Sequence, residues 1–438
     1  MLRSILRRKN LSKIVILNGT LTDPKSSLQS KADLRISDGR VEKIVLKSEG
    51  GITPLEGDEV IDAEGLIVAP GLVDVHVHFR DPGFTAKEDI ETGSASAVRG
   101  GYTSVVMMGN TDPRCDNVET LKYMQDKAAK MPLHIYVTCN ATVGMKGTEI
   151  ADLETLHKAG AVGITDDGLP IMDHGVLTKV FLKAASLGIP VSLHEEDPSL
   201  ITNNGVNRGK ASDYFEIGGS PSEAEYSLIR RDLEIASGTG VSVDIQHIST
   251  AEGVDAVRQA KAKGVNVHAE ATPHHFTLTD EAVITHGTLA KMNPPLRTEK
   301  DRLAIIEGLK DGTIDMIATD HAPHTNEEKA LPITKAPSGI IGLETALALG
   351  ITELVNKGHL TMMELLKLMT IGPSEVYNLD AGYIAEGGPA DIVLIDSDKE
   401  WTVEDNFASK AHNTPFIGWK LKGRAVMTIA SGKIVYRG

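Results

Sequence analysis

The chain has 438 residues and a formal net charge of −15, from 45 basic and 60 acidic side chains. That length can bury a large core and suits one large α/β domain plus a smaller accessory one. The acidity argues against a nucleic-acid groove or an anionic membrane surface, and Cys115 and Cys139 alone supply neither a disulfide framework nor a cysteine-rich metal site.

Few cysteines fit a reducing cytoplasm. The first ten residues are basic but lack an apolar core and small-residue cleavage site, so they read as a short leader before a strand. No apolar run approaches the ~20 residues of a membrane span. Short strands are expected at 13–18, 32–37, 40–45 and 59–62, with Asn18-Gly19 and Asp38-Gly39 as turns. Strands of the same kind return at 390–396, 425–429 and 433–436, the last two joined through Ser431-Gly432. The two ends are therefore expected to build one composite β-sandwich from residues 12–68 and 382–438.

Between them, 69–381, strand and helix alternate. Apolar β-rich runs end near His78, Met108, Asn140, Asp167, His194, His247, Glu270 and Asp320, and helical periodicity follows, as at 223–236 and 301–309. After the last run a loop leads to an apolar stretch at 342–349. Eight such units over about 300 residues are what a (β/α)8 TIM-type barrel requires. A doubly wound sheet is disfavoured because no Gly-rich nucleotide loop follows the first strand, and Gly100-Gly101 read as a helix C-terminus.

In Asp74-Val75-His76-Val77-His78-Phe79-Arg80, strand alternation puts His76, His78 and Arg80 on one face. Two imidazoles begin a zinc site, and a fixed cation beside them can hold an anion. Further groups stand where later strands end: Asn110, Asp166-Asp167, His194, His247 and Asp320. They offer enough N and O ligands for one zinc, or for two sharing a hydroxide, and such a site needs no serine or cysteine nucleophile.

The D-x-H-x-H-x-R start, Gln246-His247-Ile248-Ser249-Thr250, Lys291-Met292-Asn293-Pro294-Pro295-Leu296-Arg297 and Ala318-Thr319-Asp320-His321-Ala322-Pro323-His324 together resemble the dihydroorotase family, in the bacterial type I branch of the cyclic amidohydrolases. The resemblance runs from about residue 13 to the C-terminus. It implies reversible closure of N-carbamoyl-L-aspartate to L-dihydroorotate in pyrimidine (UMP) synthesis. It also implies His76, His78 and Asp320 on one zinc, His194 and His247 on a second, and Asp167 with a hydroxide as the bridge. Two zinc ions are favoured over one, and no carbamylated lysine is expected, because Thr165 and Asp166 precede Asp167. Asp320 would also be the catalytic proton carrier. Arg80, Asn110 and His324 would hold the substrate carboxylate and Asn293 the ring, with Ser338 and Gly339 also touching substrate. A homodimer and a complex with aspartate carbamoyltransferase are both compatible with the resemblance.

The sequence departs from the family's pattern at Gly109, where proline is common, at Glu195, where cysteine is common, and at Ser338, where an aromatic is common. Adjacent aspartates point to opposite faces, so Asp166 competes with Asp167 as the bridge, and the resemblance favours Asp167. His274 and His275 read as packing or supporting residues and His321 as structural. The charged run 325–329 reads as a solvated loop that could also cover the pocket. The rivals are a hydantoinase, dihydropyrimidinase or allantoinase, which act on neutral rings, and a non-catalytic dihydroorotase-like scaffold.

Overall fold

The structure is a computed structural model and describes residues 13–438; the basic leader lies outside the described residues. The strands in chain order are β1 (Ile14–Asp23), β2 (Leu28–Ser37), β3 (Arg40–Leu46), β4 (Glu59–Asp62), β5 (Ile67–Pro70), β6 (Leu72–Val77), β7 (Tyr102–Met107) and β8 (His134–Val137). They continue with β9 (Val191–Leu193), β10 (Val243–Ile245), β11 (Val267–Ala271), β12 (Met316–Ile317), β13 (Ile392–Thr402), β14 (Lys420–Ala430) and β15 (Lys433–Arg437).

The two ends of the chain share one eight-stranded sheet in the order β15-β14-β13-β5-β1-β2-β3, with β4 on β1. The antiparallel pair β5–β13 joins them. Ile16, Leu21, Leu34 and Ile36 from one end and Ile392, Leu394 and Ile429 from the other fill a common core. Asp38-Gly39 and Ser431-Gly432 make tight turns with both residues at positive φ, the geometry that matches strand twist. Asn18-Gly19 is not a turn. It lies inside β1, where the pairing with β2 slips between Ile16 and Gly19. The dipeptide supplies the positive φ of a bulge there (Asn18, φ 65°), and Gly19 is needed because a Cβ would sit 2.3 Å from Val68 Cγ2.

The barrel closes through parallel pairs: β6–β7–β8, then β9–β10–β11–β12. The fourth stave is reduced to Ile164, which bridges Cys139 on one side and Val191 on the other. Asp166 and Asp167 thus project from a loop and not from a strand. Closure comes where Val77 bridges His321 and His78 N donates to His321 O at 2.9 Å. The helices start where strands end and are capped locally. Asp89 accepts from Thr92 N at 2.8 Å to open Ile90–Gly100, and Gly101 closes it in the left-handed region. Thr250 opens Ala251–Ala262 in the same way.

The charged run is not a solvated loop. Asn326–Lys329 is a helical turn, and Lys329 is buried, with Nζ donating to Pro337 O (2.9 Å) and Gly339 O (3.0 Å). Lys291 Nζ makes the matching pair with Ile333 O (2.8 Å) and Ala336 O (2.7 Å). Two lysines therefore tie down the loop that carries Ser338 and Gly339.

Behind the first barrel strand, Gly93 packs flat on Phe79. A Cβ at Gly93 would lie 2.3 Å from Phe79 Cδ1. Gly93→Ala is expected to cost about 1–3 kcal/mol through this overpacking. Urea unfolding checks it, and an unchanged midpoint would show that the ring can give way.

Candidate metal centre

The first barrel strand carries His76, and the residue just past its end, His78, into one buried cluster. His76 and His78 rings lie 5.3 Å apart, His76 and His247 5.2 Å, and His194 and His247 4.6 Å. Two carboxylates stand among them. Asp167 Oδ1 is 3.7 Å from His76 Nε2 and 3.7 Å from His194 Nδ1, and Asp167 Oδ2 is 3.4 Å from His78 Nε2. Asp320 Oδ1 is 3.0 Å from His78 Nε2 and 3.5 Å from His76 Nε2. Asp166 points elsewhere. Its carboxylate accepts from Ala141 N (2.8 Å), Thr142 N (3.3 Å) and the Thr142 hydroxyl, and so it holds a loop together.

Strand alternation stops short of Arg80. The strand ends at Val77, and Arg80 has φ 58°, so its side chain is aimed by a backbone reversal and not by pleat. His247 (φ 33°) and Asp320 (φ 46°) are also left-handed. For residues other than glycine this costs about 1–3 kcal/mol each, and such strain collects where geometry must be imposed.

The cluster fits a metal on its own chemistry. His76, His78 and Asp320 bring donor atoms within 4.8 Å of one another, and so do His76, Asp167 and His247. His76 Nε2 and His247 Nδ1 are buried with no hydrogen-bond partner. Buried polar atoms rarely stay unpaired, and a cation would satisfy them. The electrostatics agree. Burial opposes charge on His76, yet Glu270, Asp320 and Asp167 outweigh it and raise its pKa well above the ordinary value. Burial also opposes charge on His194, and bonds to Asp167 and Glu196 lift it to about 10. Asp167 is held well below the carboxylate range by His194, His76 and His78 despite its burial. A pocket that pulls protons onto imidazoles in this way demands positive charge, which a metal supplies in their place.

Each of three rings is fixed from its far side. His76 Nδ1 meets Glu270 Oε2 at 2.9 Å, His194 Nε2 meets Glu196 Oε2 at 3.2 Å, and His78 Nδ1 meets Asn110 Oδ1 at 3.1 Å. Asn110 Nδ2 also donates to Asp167 Oδ2 at 2.8 Å, so both ends of Asn110 are engaged within the cluster. Glu270 and Glu196 were missed by sequence reasoning. Glu270 stood in view at the end of strand seven, and Glu196 is two residues beyond His194, the spacing that returns to the same face.

Around the cluster lies the remainder of the expected site. Asn293 Nδ2 is 3.3 Å from His194 Nε2, and its Oδ1 is buried and unpartnered. Arg80 Nε is buried without a partner, and so is Ser338 Oγ. His324 Nε2 donates to Ser338 O at 2.8 Å, while its Nδ1 faces Lys87 Nζ and Glu328 Oε2, each at 3.4 Å. Burial, with Arg80, Lys87 and Lys329 nearby, pushes His324 down to about 2, so it is neutral and the cationic character belongs to Arg80 and Lys87. Gly339 spends its N–H on Lys291 O (2.9 Å) and its carbonyl on Lys329 and Asn413. A cleft of about 570 Å³, lined by His194, Glu196, Lys291 and Asn293 among others, leads outward. His275 is committed to Thr272 Oγ1 (2.7 Å) and Pro294 O (3.1 Å), and His321 faces Glu88 (3.4 Å), so both support the scaffold.

The sequence profile of the amidohydrolase family matches residues 67–435. A dihydroorotase from Clostridioides difficile is 53% identical over 423 residues, covering 97% of this chain and 99% of that protein. The chain belongs to the amidohydrolase family, in its dihydroorotase branch. A dihydroorotase from Clostridium acetobutylicum is 50% identical over 424 residues. Among solved structures, an L-hydantoinase (dihydropyrimidinase) from Arthrobacter aurescens aligns over 97% of this chain and 96% of its own, with TM-score 0.86 and 26% identity. A D-hydantoinase aligns with TM-score 0.85 at 23% identity, a likeness of fold alone: the amidohydrolase barrel with its sandwich from both termini.

The two aspartates separate by experiment. Asp167→Ala is expected to lose bound metal, measured by elemental analysis of the dialysed protein, with little loss of fold. Asp166→Ala is expected to keep metal but cost roughly 1–3 kcal/mol in urea unfolding, because the donors it satisfies are buried. Metal lost only from the Asp166 variant would reverse the assignment.

Proposed function

We propose that this chain is a metal-dependent hydrolase of a cyclic amide C–N bond, a dihydroorotase that interconverts L-dihydroorotate and N-carbamoyl-L-aspartate. The observation that carries the substrate is Arg80. Its Nε is buried without a partner, and its charge reaches both His78 and His324. A guanidinium whose Nε is buried without a partner is costly, so the pocket is suited to a ligand that brings a carboxylate. Hydantoin, dihydrouracil and allantoin bring none, which disfavours the neutral-ring activities. The intact set of donors disfavours a scaffold role.

The donor set supports zinc: His76, His78 and Asp320 would hold one ion, and His247 with Asp167 and the neighbouring His194 would hold a second. Bound zinc supplies Lewis acidity to the attacking water and the scissile carbonyl. In hydrolysis Asp320 takes the water proton on a carboxylate oxygen and hands it to the ring nitrogen as the C–N bond breaks. Closure runs the same transfers backwards and releases water. Arg80 anchors the substrate carboxylate, and Lys87, held by Glu328 at 2.8 Å, lies close enough to His324 to add to that field. The unpartnered Asn293 Oδ1 is free to accept from a ring N–H, and Ser338 Oγ stands at the same pocket. No helix among the described residues is long and apolar enough to cross a membrane, and the buried free thiols of Cys115 and Cys139 suit a cytoplasmic enzyme.

Zinc-replete protein is expected to hydrolyse L-dihydroorotate and to leave hydantoin, dihydrouracil and allantoin essentially untouched. Turnover of a neutral ring instead would overturn the substrate and leave the metal centre standing. Arg80→Met should raise KM for dihydroorotate by about 10- to 100-fold, the worth of a charge-assisted hydrogen bond, with zinc content unchanged. Asp320→Asn should lower kcat by about 10²–10⁴-fold. A rate near that of the parent would remove Asp320 as the proton carrier.

A further inference from the structure

We infer that Glu270 is the positioning residue that ties two metal-site strands together and sets the affinity of the centre for its cation. It touches no substrate in this arrangement and acts on the centre through His76 and His247. This rests on the metal reading above.

One oxygen does both jobs. Glu270 Oε2 accepts from His76 Nδ1 at 2.9 Å and from the backbone N–H of His247 at 3.2 Å. The first contact holds the proton on Nδ1, so the His76 Nε2 lone pair is turned toward Asp167 and Asp320, where it has no other partner. The second contact secures a residue whose backbone is itself strained, His247 with φ 33°. Without an acceptor there, the His247 amide would be buried and unpaired, and the reversal that aims its ring would lose its anchor. Glu270 is fully buried, and the strand that carries it is pinned at the same level, with Ile248 N donating to Glu270 O at 3.0 Å.

The other supported rings lack this double tie. Glu196 serves His194 alone among the imidazoles, and Asn110, which serves His78, is neutral. Glu270 is the carboxylate on the far nitrogen of His76, the imidazole common to both groups of convergent donors, while Asp167 and Asp320 stand at its other nitrogen. A carboxylate on the far nitrogen makes a ring a stronger ligand than an amide does. Farther along, Asp244 accepts from Ser192 Oγ (2.9 Å) and Tyr377 Oη (3.0 Å). That pair braces the barrel interior, and the Asp244 carboxyl also lies against Glu270, so the support behind His76 continues into the barrel.

The experiment uses the full-length protein, freed of metal and titrated with zinc against a chromophoric chelator. Glu270→Ala is expected to weaken zinc binding by about 10- to 100-fold. Glu270→Gln keeps the shape and an acceptor but loses the charge, and its affinity is expected to fall between the parent and the alanine variant. The thermal midpoints of the metal-free parent and glutamine variant should lie close together, which a purely structural role would not give. If the alanine variant does not fold, the glutamine variant decides alone. Zinc affinity within twofold of the parent in the folded variants would overturn the inference. A parent that binds no zinc would instead overturn the metal reading on which it rests.

Discussion

Everything at the mouth of this barrel depends on carboxylates held out of water next to imidazoles. Asp167, Glu196 and Glu270 are each at most 5% exposed and Asp320 8%. Several like charges in so small a volume repel one another and forgo hydration, a cost of several kcal/mol for each ion left unanswered. His76 and His194 answer it when no cation is present, which is why burial fails to lower their pKa values. His247 does not share in this, because burial and the neighbouring His194 and His76 keep it neutral. The cluster is therefore an electrostatic trap shaped before any ligand arrives. Its walls are what the barrel has to hold rigid.

The rigidity comes from main-chain geometry that the local sequence does not prefer. Arg80, His247 and Asp320 all leave their strands through positive φ, at roughly 1–3 kcal/mol apiece. The barrel offsets this with buried apolar contacts along the same strands. Val73, Val75, Val106, Met316 and Ala318 pack in one cluster with Tyr377, and Phe79 lies against Gly93. Small residues are placed where backbones must come close: at Gly342 a Cβ would meet Thr319 Cβ at 2.8 Å, and at Gly339 it would meet Ala322 Cβ at 2.7 Å. The two buried lysines work on the same side of the site. Lys291 and Lys329 hold loop carbonyls that no strand or helix satisfies, so the segment bearing Ser338 is fixed by side chains and not by secondary structure.

This division explains what could be read from the residues alone. Period-two alternation, strand-end placement and turn dipeptides are local, so the barrel, the sandwich from both ends, and the convergence of His76 with His78 were legible. Asp38-Gly39 reads as a turn for the same reason. Asn18-Gly19 has the same composition and sits in mid-strand, because the long β1 pairs on both sides of it and only a bulge can absorb the extra residue. The fourth stave shrank to the single bridging residue Ile164, which moved Asp166 and Asp167 off a pleat and made their facing a matter of which amides lay nearby. Glu270 and Glu196 carry no motif. Their role exists only once separate strands are side by side, as does that of Lys329, whose charge suggested solvent while its carbonyl partners lay ten residues or fewer downstream.

Substrate choice follows from how the fold and the charge divide the work. The structural neighbours include hydantoinases that share this architecture at 23–26% identity. The barrel and its sandwich therefore do not select the ring. Selection has to lie in groups that the scaffold holds but does not need, and Arg80 is the clearest of these. It contributes nothing to closure, its backbone is strained, and its guanidinium Nε is left without a partner. The strained backbone and the unpartnered Nε each lower stability. The carboxylate proposed above would complete the pocket and offset both. His324, kept neutral and engaged with Ser338, cannot supply that charge itself. It joins Lys87 to the Ser338 loop beside Arg80.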